Sequence, residues 1–236
     1  MKANKDFIAL GGCHVDGYGA SDEPSFIDIV QKDVNSKCIL KKSLYKLKNA
    51  EKIEAILKEY PTHLVVLQLG NYEFHPSLDF KNYLNKKNKL KNQSFETITP
   101  PSVINHDFYD GRGLLYRNLI YFIKVLLSPI YWYLIEHNNK KYLIQLRKII
   151  KGNYDKDFVI ITPLPFYHSA NNIIRKRAIS LYENYFSNLP NVIFVNSFED
   201  FPFDKDMFYN PAHLSAKGHK FLGDKTADAI IEYYKK

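Results

Sequence analysis

The chain has 236 residues, of which 45% are hydrophobic and 25% are charged. This composition excludes a disordered or fibrous protein and favours one globular domain. Lysine and arginine total 33 against 25 acidic residues, which gives a formal net charge of +8. Such a charge suits general solubility, and it also suits contact with an anionic surface or an acidic glycan. Nucleic-acid binding is not expected, because the chain has no basic and aromatic motif that reads bases.

The chain contains only two cysteines, Cys13 and Cys38. Two thiols are too few for a disulfide framework, and their spacing is not that of a zinc site. The N-terminal residues lead directly into a strand-like segment without the apolar stretch of a signal peptide. We therefore expect a cytoplasmic protein that needs no metal or other cofactor and in which Cys13 stays a free thiol.

Short apolar runs that end at glycine or proline predict buried parallel strands. These runs cover residues 7–10, 64–69, 158–162 and 192–195. Helical patterns lie at about 24–34, 44–59, 173–186 and 215–234. Strands that alternate with helices predict a three-layer α/β/α sandwich around a mainly parallel, flavodoxin-like sheet. In this fold class the functional loops follow the carboxyl ends of the strands.

Residues at about 78–150 break the alternation, and we interpret them as an insertion in a single domain of residues 1–236. Residues 79–105 are polar and rich in lysine, which indicates a long loop. Residues 113–151 are apolar, aromatic and basic. Charged residues and Pro129 interrupt their apolar run, so we expect two helices bent at the proline and no membrane span.

Four roles remain open for this helical part, residues 113–151. It could form a lid over the site, a contact in a homo-oligomer, or a peripheral helix at the inner face of the membrane. The fourth alternative is simple packing against the main domain.

Three clusters with reactive side chains stand at predicted strand ends or before a helix. The first, Gly11 to Gly19, follows the first strand, the second, Gln68 to Glu73, stands at the end of the strand at 64–69, and the third, Asn210 to Gly218, precedes the last helix. The first cluster lacks the lysine of a Walker A loop and the third glycine of a dinucleotide fingerprint. A nucleophile on a tight turn fits it better, because glycines expose the side chain and aim backbone N–H groups at an oxyanion.

In this order, the clusters resemble the sequence blocks of the SGNH (GDSL) hydrolase family. Ala9 to Gly19 resembles the first block, with Cys13 at the place of the nucleophilic serine. Leu67 to Glu73 resembles the third block, whose asparagine donates to the oxyanion, and Asn210 to Gly218 resembles the fifth, with His213 as the base. The resemblance implies an acyl-ester hydrolase or O-acyltransferase, with O-acetylated carbohydrate as a substrate class.

The sequence also departs from the family pattern. Gly12 and Cys13 stand where the family has aspartate and serine, and Asn210 replaces the acid that precedes the histidine. In the third block Tyr72 occupies the asparagine column, and Asn71 lies one residue earlier. The glycine of the second block has no evident counterpart.

We predict that Cys13 is the nucleophile, His213 the base and Asn210 the group that orients the imidazole. A thiol needs less help from a base than a hydroxyl, and an amide can hold the ring of a cysteine–histidine pair. The predicted oxyanion donors are the Cys13 backbone N–H, the Asn71 side chain and, at the second-block position, Ser43. The predicted substrate-binding residues are Gly12, His14, Gly70 and Tyr72.

The alternative is a catalytically degenerate protein that binds a glycan or an acylated ligand on the same fold, at the membrane or in solution. Two further expectations concern the fifth block. Asp204 or Asp206 could supply the missing acid to His213, and His219, in the last helix, is expected to face solvent.

Overall fold

The computed structural model describes residues 6–74, 114–167 and 169–235. Its centre is a five-stranded, fully parallel sheet with the strand order β2-β1-β3-β4-β5. These strands are β1 (Phe7–Gly11), β2 (Cys38–Lys42), β3 (Leu64–Gln68), β4 (Asp157–Ile161) and β5 (Val192–Val195). A short antiparallel pair, β6 (Phe208–Asn210) and β7 (His213–Leu214), lies outside the sheet.

The α-helices of the described residues are α1 (Phe26–Asp33), α2 (Ala50–Glu59), α3 (Leu114–Gly152), α4 (Ser169–Phe186) and α5 (Ala216–Lys235). All four predicted strands are confirmed, with shifts of one residue at their ends. The predicted helix at 44–59 begins only at Ala50, after a 3₁₀ turn at Leu47–Asn49. The sequence did not predict β2, because this edge strand is half exposed and reads Cys-Ile-Leu-Lys-Lys.

The helices cover both faces of the sheet, which confirms the three-layer sandwich. Alternate strand residues point to opposite faces. One set, which includes Ile8, Val65 and Ile160, packs with α2, α3 and α4. The other set, which includes Ala9 and Val66, packs with α1 and α5. Burial on both faces explains why the inner strands read as continuous apolar runs.

The strand order places a switch point between β1 and β3. The chain moves from β1 outward to β2, and then returns to the other side of β1 to form β3. At a switch point the loops after the two strands diverge and leave a crevice at their carboxyl ends. The register pairs Gly11 with Gln68, so the segments that follow these two residues start side by side.

The predicted pair of helices bent at Pro129 is wrong. A single helix, α3, runs from Leu114 to Gly152 with Pro129 inside it. Proline removes one backbone hydrogen bond. The second half of α3 is held in the core by Ile135, Leu143 and Leu146, and this packing supports the helix on one side of the proline. The predicted loop at 79–105 lies outside the described residues.

The first half of α3 exposes an apolar face. This face consists of Leu119, Phe122, Leu126, Ile130 and Tyr133, each between 56% and 69% exposed. Spacings of three and four residues place them on one side of the helix. In the described part of the chain, no helix combines enough length with enough apolar character to cross a bilayer. The role of residues 113–151 as a lid, an oligomer contact or a membrane-surface helix stays a prediction.

We predict that Gly223→Ala lowers the free energy of unfolding by about 1–3 kcal/mol, because overpacking of a tight contact forces neighbours apart. A Cβ atom at Gly223 would lie 2.7 Å from Ile29 Cβ and 3.1 Å from the Phe26 carbonyl oxygen, where α5 meets α1. Urea unfolding followed by circular dichroism measures the change. The matched control is Gly152→Ala, since a Cβ at Gly152 meets nothing within 4 Å. Equal stability of the two variants would contradict close α1–α5 packing.

Candidate active site

The reactive residues of the three sequence clusters meet at the carboxyl edge of the sheet. Cys13 follows β1 in a 3₁₀ turn at Cys13–Asp16, and Asn71 follows β3. His213 begins β7, directly before α5. The turn after β1 is closed by Gly17, whose φ of 88° is in the left-handed region that favours glycine. Parallel strands therefore deliver two of the clusters to the switch point, and the β6–β7 hairpin delivers the third.

His14 connects the three clusters. Its Nε2 atom accepts a hydrogen bond of 3.2 Å from the backbone N–H of Leu214, a residue 200 positions away. Its Nδ1 atom lies 3.8 Å from the Cys13 Sγ atom and 3.5 Å from the Asn71 Nδ2 atom. Its ring centroid is 5.2 Å from that of His213. His14 was predicted as a substrate contact, and the structure adds that this side chain is buried between the clusters.

The hydrogen bond from Leu214 determines the protonation of His14. Because Nε2 accepts a backbone N–H, the neutral ring carries its proton on Nδ1. That N–H faces the Cys13 sulfur, to which it can donate. Burial lowers the pKa of His14 well below its usual value, and the neighbouring His213 and His219 lower it further. His14 is therefore a neutral hydrogen-bond donor to the thiol.

Asn210 holds His213 as predicted for the residue that orients the ring. Its Oδ1 atom lies 2.9 Å from His213 Nδ1 and also accepts the backbone N–H groups of Ala212 and His213. Since an amide oxygen only accepts, Nδ1 of a neutral His213 carries the proton and Nε2 has a free lone pair. Burial, with Arg175 as the next cause, lowers the pKa of His213 to about 4.

Asn71 is fixed by neighbours on both sides. Its Oδ1 atom accepts the backbone N–H of Leu164 at 2.8 Å, and its carbonyl oxygen accepts from the Arg175 guanidinium at 3.0 Å. The Nδ2 group consequently lies on the side of His14 and Gly12, where it donates to Gln68 Oε1 at 3.4 Å and where a Cβ atom built on Gly12 would lie 3.7 Å from it. This orientation suits the predicted oxyanion donor.

The Cys13 thiol is half buried and free of disulfide bonding. Burial raises its pKa, while the Tyr72 hydroxyl and the Arg175 charge act in the opposite direction. Within residues 6–74, 114–167 and 169–235, the Cys13 side chain interacts with His14 Nδ1 and with the Tyr72 hydroxyl, and no hydrogen bond joins it to His213. The role of His213 as the base for this thiol stays a prediction.

The remaining predicted residues occupy distinct positions. Gly70 has a φ of 95°, and a Cβ there would collide with the Tyr182 hydroxyl, so this glycine is required by the turn itself. Tyr72 is 38% exposed, with its hydroxyl beside Cys13 and the Lys46 ammonium 4.7 Å above its ring. Ser43 is half exposed after β2, and its role stays a prediction. The next residue, Leu44, has a φ of 63°, a conformation that glycine adopts more easily.

Sequence reasoning missed several residues around the site. Arg175 was missed because a single arginine in a helical pattern normally indicates a solvated position. The ring of Tyr18 packs 4.4 Å from that of His213 and gave no separate signal in a chain rich in tyrosine. Gln68 is fully buried. A polar residue at the end of an apolar strand was the available sign of it.

The expectation that His219 faces solvent is wrong. His219 is fully buried, accepts the Phe26 backbone N–H on Nδ1 at 3.2 Å and donates from Nε2 to the Tyr18 carbonyl oxygen at 3.1 Å. It ties α5 to α1 and to the loop after Cys13. The helix pattern could not show this, because the partners are main-chain atoms nearly 200 residues away.

The two aspartates that could have supplied an acid to His213, Asp204 and Asp206, have other surroundings. Asp206 forms an ion pair of 2.6 Å with Lys217 at the surface. Asp204 stands directly before the 3₁₀ turn at Lys205–Met207. Among the described hydrogen bonds, the His213 ring has Asn210 as its partner and neither aspartate.

We predict that acid destabilises the fold through its buried histidines. Burial lowers the pKa of His219 to about 4, below its value of about 6.5 in the unfolded chain. The corresponding stabilisation is complete above pH 6.5 and is lost as the pH falls to about 4, in total about 3 kcal/mol. Urea unfolding at pH 7.5, 6.0 and 4.5 measures the loss.

In His219→Asn the pH dependence should be flatter, even if the variant is less stable at pH 7.5. The matched control is His63→Gln, because His63 is exposed. A pH profile of His219→Asn that is parallel to the wild-type profile would assign the acid sensitivity to other groups.

The comparisons with known proteins concern the fold. No family model and no curated protein sequence matches the chain. The solved structures that it resembles include a lipolytic protein of the G-D-S-L family from Desulfitobacterium hafniense DCB-2, with a TM-score of 0.54, 11% identity, and coverage of 96% of this chain and 99% of that one.

A family 3 carbohydrate esterase from Clostridium thermocellum has a TM-score of 0.56 at 12% identity, with coverage of 99% and 98% of the two chains. An acetylxylan esterase from Geobacillus stearothermophilus, solved as a catalytic mutant, has a TM-score of 0.55 at 11% identity, with coverage of 99% and 96%. At these identities the likeness establishes architecture, and it agrees with the mainly parallel five-stranded sheet between helices. The chain has the fold of the SGNH hydrolases.

Proposed function

We propose that the protein is an acyl-transfer enzyme, an ester hydrolase or an O-acyltransferase, that uses Cys13 as its nucleophile. The observation that carries the proposal is the convergence of Cys13, Asn71 and the His213 hairpin around His14. Nucleophile, oxyanion donor and base come from three distant parts of the chain, and each stands at the edge of the sheet where this fold holds its site.

The reaction begins with attack of the Cys13 sulfur on the ester carbonyl carbon. A C–S bond forms as the ester C–O bond breaks, and Nε2 of His213 takes the thiol proton and returns it to the leaving oxygen. The Asn71 Nδ2 group and the Cys13 backbone N–H donate to the oxyanion. Water or a hydroxyl acceptor then attacks the acyl-thioester and loses its proton to His213. The new C–O bond forms as the C–S bond breaks, and His213 returns the proton to the Cys13 sulfur.

The proposed substrates are esters of carbohydrates. Two of the similar structures are a carbohydrate esterase and an acetylxylan esterase. In this chain, the half-exposed rings of Tyr18 and Tyr72 flank the reactive centre and provide flat surfaces on which a sugar can pack. O-acetylated carbohydrate is accordingly the substrate class to test first.

We predict that Cys13→Ala and His213→Ala each lower the rate of acetyl transfer at least about 100-fold, because nucleophile and base act as a unit. A chromogenic acetyl ester and an acetyl thioester are suitable substrates, with release of the leaving group as the measurement. The matched control is Cys38→Ala, which removes the other thiol. Wild-type activity in Cys13→Ala would refute the proposed nucleophile. Sugar-ester binding without turnover in the wild type would favour the alternative, a degenerate binding protein.

We also predict that the cysteine and the asparagine are energetically coupled. Cys13→Ser should retain only a low, measurable rate, because a serine needs a stronger base than a histidine with a pKa of about 4. Asn210→Asp places a carboxylate on His213 Nδ1 and raises the basicity of the ring. The double variant Cys13→Ser/Asn210→Asp should therefore recover at least about tenfold in rate over Cys13→Ser. A double-mutant cycle measures the coupling, and purely additive effects would exclude it.

A further inference from the structure

Arg175 is a buried cation below the reactive centre. It lies in α4 and is 2% exposed. One terminal nitrogen donates to the Asn71 carbonyl oxygen at 3.0 Å, and the other donates to the Leu164 carbonyl oxygen. The guanidinium carbon lies 3.5 Å from the centroid of the Phe166 ring, and Nε has no hydrogen-bond partner among the described residues. Both of its acceptors are neutral main-chain atoms.

No carboxylate in the described part of the chain compensates this charge. The ion pairs found there involve lysines. A buried charge without a counter-ion is strongly destabilising. Burial accordingly lowers the pKa of Arg175 to about 9, and the interaction that favours its charged form is with Cys13, the group of this centre that can become an anion. The guanidinium is therefore positioned to be compensated when negative charge develops at the sulfur.

The same charge acts on the two histidines nearest the thiol. It opposes the protonation of His14 and of His213, in addition to the effect of burial. A thiolate–imidazolium pair is consequently disfavoured in this site. The positive charge that an imidazolium supplies in other cysteine–histidine pairs has to come from another group.

We propose that Arg175 makes the Cys13 centre selective for anions. It acts as a positioning residue, because it fixes the Asn71 turn so that Nδ2 faces the site. It also acts through space, because its charge stabilises negative charge on Cys13 Sγ and on the acyl oxygen. The substrate class that this predicts is an acyl ester or thioester with a carboxylate or phosphate group close to the reacting carbonyl. The inference deepens the proposed function at the same site.

A second cation is placed at the rim of the site. The Lys46 ammonium lies 4.7 Å above the Tyr72 ring, on a loop that follows β2. It is half exposed, so its field is screened by salt far more than that of Arg175. Lys46 thus provides the comparison that separates a buried fixed charge from a surface charge.

Alkylation of Cys13 tests the proposal without any turnover. Iodoacetate and iodoacetamide have nearly the same size and react alike: the thiolate forms an S–C bond and iodide leaves. They differ in charge. Peptide-resolved mass spectrometry gives the rate of each reagent at Cys13, in 0.3 M salt at pH 8. The iodoacetate-to-iodoacetamide ratio in the folded wild type should exceed the ratio in urea by on the order of tenfold. A folded ratio equal to or below the unfolded one overturns the proposal.

Three variants show which cation causes the selectivity for anions. In Arg175→Met the ratio should fall to the unfolded value, in Arg175→Lys it should be largely retained, and in Lys46→Met it should remain within about twofold of wild type. A variant that unfolds would show the unfolded alkylation ratio. A ratio that is retained in Arg175→Lys therefore indicates a folded site that keeps its positive charge. If Arg175→Met does not fold, Lys46→Met decides, since loss of selectivity there would make the surface lysine responsible.

The outcome is independent of the esterase assays. A high iodoacetate-to-iodoacetamide ratio without acyl-transfer activity would support the anion-selective centre and contradict the proposed reaction. Activity on acetyl esters together with a low ratio would support the reaction and contradict the role of Arg175. If both hold, succinyl or phosphorylated esters should be turned over faster than acetyl esters, and Arg175→Met should lower the turnover of the anionic esters more than that of the neutral ones, so that the preference is lost.

Discussion

One hydrogen bond joins the two ends of the chain at the reactive centre: the Leu214 N–H donates to Nε2 of His14. The two backbones also approach closely beside this hydrogen bond, since a Cβ atom at Gly19 would collide with the Leu214 carbonyl oxygen. Because Nε2 has to accept, the ring stays neutral, and because the ring is neutral, Nδ1–H points at Cys13. The position of His213 opposite the Cys13 turn thus depends on the side chain of His14, which is buried and uncharged.

The charge distribution of the centre follows from this arrangement. Three imidazoles lie close together, those of the buried His14 and His219 and of the half-buried His213, and desolvation is the main cause that lowers the pKa of each. The amide of Asn210 orients His213 without adding a negative charge. A guanidinium, that of Arg175, acts on the thiol. Among the residues that the structure describes, the site thus combines a buried cation with an amide on its histidine, which is electrostatically the reverse of a serine–histidine–aspartate triad, in which a buried carboxylate supports the base.

The shared fold places the centre but does not decide its chemistry. Solved structures at 11–12% identity resemble this chain over nearly its whole length, and a shared fold does not by itself fix a function. In this chain the crevice receives a thiol, an amide and neutral histidines. The substrate that it accepts therefore depends on the side chains that line it, above all Tyr72, Arg175 and His213.

The sequence by itself determined the layer architecture, since apolar strands that alternate with amphipathic helices have few other ways to bury both faces of a sheet. It also singled out Cys13, Asn71 and His213 as candidates, because strand ends and a histidine before a helix are local patterns. Tertiary structure alone decided the bridging role of His14, the burial of His219 and the place of Arg175. Their partners are main-chain atoms or charges far away in the chain, and no local pattern encodes such contacts. The continuity of α3 through Pro129 was decided in the same way, by packing on the core.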